Sequence, residues 1–79
     1  MDDSSRKPSD KDLYRRLGRT VHELRQQRGW TQADLAFHAG LHRAHVGEIE
    51  RGETNVTLQT LKTLADTLRV SITDLLRDS

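Results

Sequence analysis

At 79 residues, 33% of them hydrophobic and 4% aromatic, the chain can build one domain around one small core. It has no cysteine, which excludes disulfide staples and thiolate metal centres. It also has no apolar run long enough for a membrane span or signal peptide, so a cytoplasmic protein stabilised by oligomerisation is expected. The net charge of +1 is uneven: residues 11–51 carry eight Lys/Arg against five Asp/Glu, and the segment on either side is net −1, a pattern that fits an anionic partner or an ordinary solvated surface.

Residues 1–10 are polar, contain the only proline and show no periodicity, so they read as a disordered arm. Arg6 and Lys7 have the chemistry to reach a DNA minor groove, but Asp2, Asp3 and Asp10 oppose it. Residues 11–79 form the folded domain. Leu13, Leu17, Val21 and Leu24 recur at spacings of four, four and three, which predicts a helix near 11–28 ended by Gly29. His22, beside Val21, is expected to face solvent.

The remaining helices share one pattern, a polar cap flanked by an apolar residue before it and another four positions after it. Thr31 caps a helix at 32–39 between Trp30 and Leu35, with Asp34 placed to meet the helix dipole. Ala36 is small and inward-facing, Gly40 ends this helix and Leu41 fills the corner. His42, a poor cap, occupies the same slot before a helix at 43–51, from which Val46 and Ile49 point inward. Gly47 sits inside that helix at a cost of about 1 kcal/mol, for close approach to DNA or to avoid a packing clash. Thr57 caps a helix at 58–68, whose stripe of Leu58, Leu61, Leu64, Ala65 and Leu68 reads as core. Ser71 caps a last helix at 72–77 between Val70 and Leu75, with Asp74 in its first turn. No stretch alternates with period two, so no strand is predicted. The fold class is all-α, a compact five-helix bundle.

Residues 29–52, "GWTQADLAFHAGLHRAHVGEIERG", thus hold two helices of about two turns each, too short to be stable alone. Two short helices hinged on Gly40 and held by their neighbours form a helix-turn-helix, whose second helix needs only enough length to enter a DNA major groove.

The stretch "TQADLAFHAGLHRAHVGEIERGETNVTLQTLKTLADTLRVSITDLL" resembles the XRE/Cro-type helix-turn-helix regulators, whose domain is lambda-repressor-like. "TQADLA", "IERG" and the "TL..L..LA..L.VS...LL" ending fall in that family's order and spacing. The small size and "VGEIERGETNVTL" look most like the controller proteins of restriction–modification systems. The resemblance implies that Gln32 binds a phosphate. It implies base reading by Arg43, Ala44 and Glu48, and backbone contacts from Arg51, Thr54 and Asn55. His42, just before these positions, and His45, among them, are also candidate DNA-binding residues, and His45 is expected to touch DNA or cap the surface. Arg25 and Glu50 match a buried ion pair tying the first helix to the third. His42 and Arg69 depart from the family pattern. The helix starting after His42 is therefore expected to be frayed or closed by imidazole, and Arg69 to be left-handed or part of an altered turn.

Other chemistries find no support. The turn at Gly40 breaks the register between His38 and His42, and no carboxylate completes a set with His45, so no metal site is expected. No nucleophile–base pair, phosphate loop or paired-carboxylate motif points to catalysis, and no cofactor or small-molecule effector is implied. The short last helix carries more apolar side chains than a chain end can cover. Leu75 is engaged by the staple with Val70, whereas Ile72 and Leu76 share a face. Val70, Ile72 and Leu76 are expected to meet a two-fold copy, giving a homodimer on a near-palindromic operator in double-stranded DNA; the alternative is that this face caps the core. A phage-type repressor, or an antitoxin whose helices also bind a protein partner, would share the same sequence pattern.

Overall fold

The computed structural model of the protein describes residues 10–77, in which five α-helices supply all the helical structure and no strand occurs. They are α1 (Asp10–Gln27), α2 (Gln32–Ala39), α3 (Arg43–Arg51), α4 (Leu58–Leu68) and α5 (Ile72–Leu76). Each boundary lies within one residue of that read from the sequence. Helix α1 begins at Asp10, the last residue assigned to the arm; the rest of the arm, with Arg6 and Lys7, lies outside the described residues.

Local chemistry explains where the helices start. Thr31 Oγ1 accepts from the Asp34 amide at 3.0 Å while Asp34 Oδ2 accepts from the Thr31 amide at 2.8 Å, closing a capping box. Ser71 and Asp74 repeat it at 2.9 and 3.2 Å. Thr57 Oγ1 accepts from the Thr60 amide at 3.1 Å. Backbone amide bonds, from Thr31 and Ser71 respectively, hold the Asp34 and Asp74 carboxyls below their ordinary range. His42 has cap geometry but donates or accepts no side-chain bond there, so the first turn of α3 has no side-chain cap.

The helix ends need left-handed residues. Gly40 ends α2 at φ 69°, leaving Leu41 to pack partly against the core. Arg69 ends α4 at φ 59°, ψ 45°, the left-handed conformation that non-glycine residues adopt at a cost of about 1–2 kcal/mol. Arg28 helps to close this end, since its Nη2 donates to the Leu68 carbonyl.

Helix α1 packs against α3, α4 and α5, while α2 rests on α3 and α4. Leu17, Val21, Leu35, Val46, Ile49, Leu64, Leu68 and Leu75 fill the space between them. Helices α1 and α3 approach closely at Gly18 of α1. A Cβ there would stand 2.6 Å from the Glu50 carbonyl oxygen and closer still to that of Ile49, so the two helices meet backbone to backbone. Leu58 corrects the sequence reading. It continues the leucine stripe, but as the first residue of α4 it projects past the edge of the core and is 75% exposed.

Candidate nucleic-acid interface

The site is built on the ion pair that spans α1 and α3. Arg25 Nε donates to Glu50 Oε2 at 2.6 Å, Arg25 Nη2 donates to Glu50 Oε1 at 3.0 Å, and Arg25 Nη1 donates to the Trp30 carbonyl at 2.8 Å. Both side chains are nearly inaccessible, at 10% and 4% exposure. Burial pushes the Glu50 carboxyl up, but the bonds from Arg25, His22 and Gln32 outweigh it and hold it below the ordinary glutamate range. The Glu50 bond likewise raises the Arg25 pKa, against the opposing effect of burial.

The sequence predicts a solvent-facing His22, and the structure corrects this. It is half-buried, with Nδ1 3.0 Å from Glu50 Oε1 and 3.0 Å from Arg25 Nη2. One tautomer donates to the carboxylate and the other accepts from the guanidinium. Position 22 lies one turn before Arg25 on the flank of α1 that faces α3, a placement the apolar stripe alone does not reveal.

Glu50 also orients Gln32. The Gln32 amide Nε2 donates to Glu50 Oε1 at 3.1 Å. A carboxylate only accepts, so the nitrogen must face it and the amide oxygen turns toward Gly47. A Cβ on Gly47 would stand 3.6 Å from that oxygen and 3.0 Å from Arg51 Nη1. Gly47 therefore leaves the space in which Gln32 and Arg51 converge, linking the start of α2 to the end of α3. Arg51 is also braced by Glu53, whose Oε1 accepts from its Nε at 2.9 Å.

The other candidates lie on and after α3. His42, Arg43, Ala44 and Glu48 are exposed, and His45 is half-buried. Thr54 is half-buried and Asn55 exposed in the α3–α4 loop, where Thr54 Oγ1 donates to the Asn55 carbonyl at 3.3 Å. After α4, Val70 and Ile72 pack partly on the core, while Leu76 is 39% exposed. Among the described residues no group of three His, Cys, Asp or Glu side chains is placed to hold a metal ion, and no helix is long and apolar enough to cross a membrane. The sequence reading gave no role to Gly18, to Phe37, which is 82% exposed on α2, or to the stack of His38 on Trp30 at 4.4 Å.

The chain is similar to control protein C.SmaI of Serratia marcescens, 42% identical over 65 residues that cover 82% of this chain and 77% of the relative. Three other curated regulators that it matches are longer, and the match covers 33–47% of their length. Its fold is similar to the crystal structure of the restriction–modification controller protein C.AhdI from Aeromonas hydrophila, with a TM-score of 0.76, 39% identity and coverage of 78% of this chain and 94% of the other. It is also similar to the controller protein C.Esp1396I, solved as a tetramer in complex with its natural 35-base-pair operator. There the TM-score is 0.70, with 29% identity and coverage of 82% and 96%. Residues 21–75 match the helix-turn-helix family HTH_3, a span that includes α2 to α4 and the Arg25–Glu50 pair. The chain belongs to the HTH_3 helix-turn-helix family of transcriptional regulators.

Proposed function

We propose that this regulator binds duplex DNA in a sequence-specific manner as a homodimer, in the way of a restriction–modification controller. Gln32, Arg51, Thr54 and Asn55 contact phosphates and set the position of the domain. Arg43, Ala44 and Glu48 read base edges in the major groove, with Arg43 suited to guanine and Glu48 to cytosine N4; His42 and His45, next to them on the same turns, also contact the DNA. Val70, Ile72 and Leu76 form the two-fold contact. It sets the two copies of α3 about 34 Å apart, over successive major grooves of a near-palindromic operator. Neither a cofactor nor a small-molecule effector enters this reading.

The observation that carries it is the Glu50-held Gln32 beside the exposed face of α3, which gives a rigid frame next to free base-reading side chains. Arg43→Ala tests it. One bidentate contact is worth about 1–3 kcal/mol of discrimination. The variant should fold as wild type yet lose most of its preference for a selected duplex over a random one at fixed salt. An unchanged preference would remove Arg43 from the reading.

Phe37 favours a second reading, in which an antitoxin-like surface on α2 binds a protein partner as well. Phe37→Ala would then weaken that association and leave duplex binding intact.

A further inference from the structure

A groove of about 510 Å³ separates the first turns of α1 from the α3–α4 loop. One wall is formed by Lys11, Tyr14 and Arg15, none of which has a role in the site described above. The other is formed by Arg51, Glu53, Thr54 and Asn55. The walls are held in register because Gly52, at φ 72°, lets α1 press on the end of α3. A Cβ on Gly52 would stand 2.9 Å from Arg15 Cγ and 3.0 Å from the Arg15 backbone. The groove is therefore part of the packed fold.

Its chemistry suits a polyanion. Lys11, Arg15 and Arg51 bring three positive charges; the acid on the lining is Glu53, and it is engaged by Arg51 Nε at 2.9 Å. The Tyr14 hydroxyl and the Asn55 amide add neutral donors of the kind that bond phosphate oxygens. Arg51 joins the groove to the rest of the site, with its Nε toward Glu53 and its Nη1 over Gly47 beside Gln32. Arg51 thus stands between Gln32 on one side and the groove that holds Arg15 and Lys11 on the other. Successive phosphates of one DNA strand rise about 3.4 Å along the helix axis, so a polyanion of this kind can offer several phosphates to a groove with several donors.

We propose that this groove is a second backbone-binding site, in which Lys11, Tyr14 and Arg15 take phosphodiesters of the duplex beyond those met by the recognition helix and its loop. The proposal rests on the DNA-binding reading above and extends its footprint to α1. These contacts carry no base information; they add affinity and salt dependence.

The test measures duplex affinity across a range of salt concentrations, using a duplex selected by the wild-type protein and a random one. Lys11→Gln and Arg15→Gln should each lower the slope of log affinity against log salt by about one. Each should weaken specific and random binding by the same factor, leaving their ratio at the wild-type value. Arg15→Lys, which keeps the charge and most of the stem packed on Gly52, should restore the slope and also shows that the loss is not unfolding. A wild-type slope in both glutamine variants, with specific binding intact, overturns the groove and leaves the regulator reading standing. Wild-type protein that binds no duplex overturns both. If Tyr14 and Asn55 amide resonances respond to inorganic phosphate but stay fixed in the duplex complex, the groove is a small-anion site and the proposal fails.

Discussion

Arg25 grips Glu50 through two N–H···O bonds of 2.6 and 3.0 Å, joining the later turns of α1 to the last turn of α3. Removing one partner of a buried pair strands the other charge and costs about 3–5 kcal/mol. Glu50→Gln should therefore lower the urea midpoint strongly. Glu53→Gln, which loosens only an exposed pair with Arg51, should change stability by less than about 1 kcal/mol. Equal midpoints for the two variants would show that the pair contributes no more than a surface contact.

The same carboxylate sets an acid limit. Its folded-state pKa is depressed, so its contribution to stability is present above the ordinary glutamate value of about 4.3 and is lost as pH falls through the lower folded value. Asp34 and Asp74, depressed by their capping boxes, act in the same direction. Once protonated, Glu50 resembles the glutamine variant. The stability gap between wild type and Glu50→Gln should therefore narrow as the pH is lowered below about 4. A gap that stays constant to the acid limit of folding would contradict the assignment.

Two glycines predict opposite outcomes for one substitution. Gly18→Ala puts a methyl group against the backbone carbonyls of α3, which cannot move aside, and overpacking of this kind costs about 1–3 kcal/mol. Gly47→Ala meets only flexible side-chain ends, Arg51 Nη1 at 3.0 Å and the Gln32 amide oxygen at 3.6 Å, and gains about 1 kcal/mol of helix propensity. Thermal melts should show Gly18→Ala destabilised and Gly47→Ala at least as stable as wild type. Gly47→Ala should nevertheless bind duplex DNA more weakly, because Arg51 and Gln32 no longer converge. Unchanged affinity would show that their placement is irrelevant to binding.

Leu76 is the residue with which to test the dimer, since Val70 and Ile72 are partly engaged by the core while Leu76 is more open. Leu76→Glu should remain folded, sediment as a monomer and bind the palindromic duplex as independent half-sites. Wild-type protein that sediments as a monomer at tens of micromolar, a range typical of weak interfaces, yet binds a palindrome tightly would rule this contact out.

What the sequence disclosed was chiefly local. Thr31, Thr57 and Ser71 announce their helices because a cap and its staple lie within a few residues of each other, and Gly40 marks its turn for the same reason. Non-local placements were hidden. Leu58 fits the leucine stripe in sequence, but where the core ends depends on the other helices. His22 meets Glu50 across 28 positions, and Lys11 and Arg15 face a loop about forty residues away. Arg25 and Glu50 were named through the family resemblance, whereas the turning of Gln32 by the same carboxylate follows only from their geometry.

The contact at Gly18 has a mechanical consequence. Where two helices meet through side chains, a larger or smaller residue between them can tilt one against the other. Here the main chains themselves touch, and there is no intervening layer to thicken or compress. The separation of α1 and α3 is set at this point by the main chains themselves, and the Arg25–Glu50 pair further along α1 gives a second tie between the same two helices. A substitution that thickens the layer elsewhere between α1 and α3 must then pivot the helices about this contact, because they cannot draw apart at Gly18 without losing it or come closer without a clash.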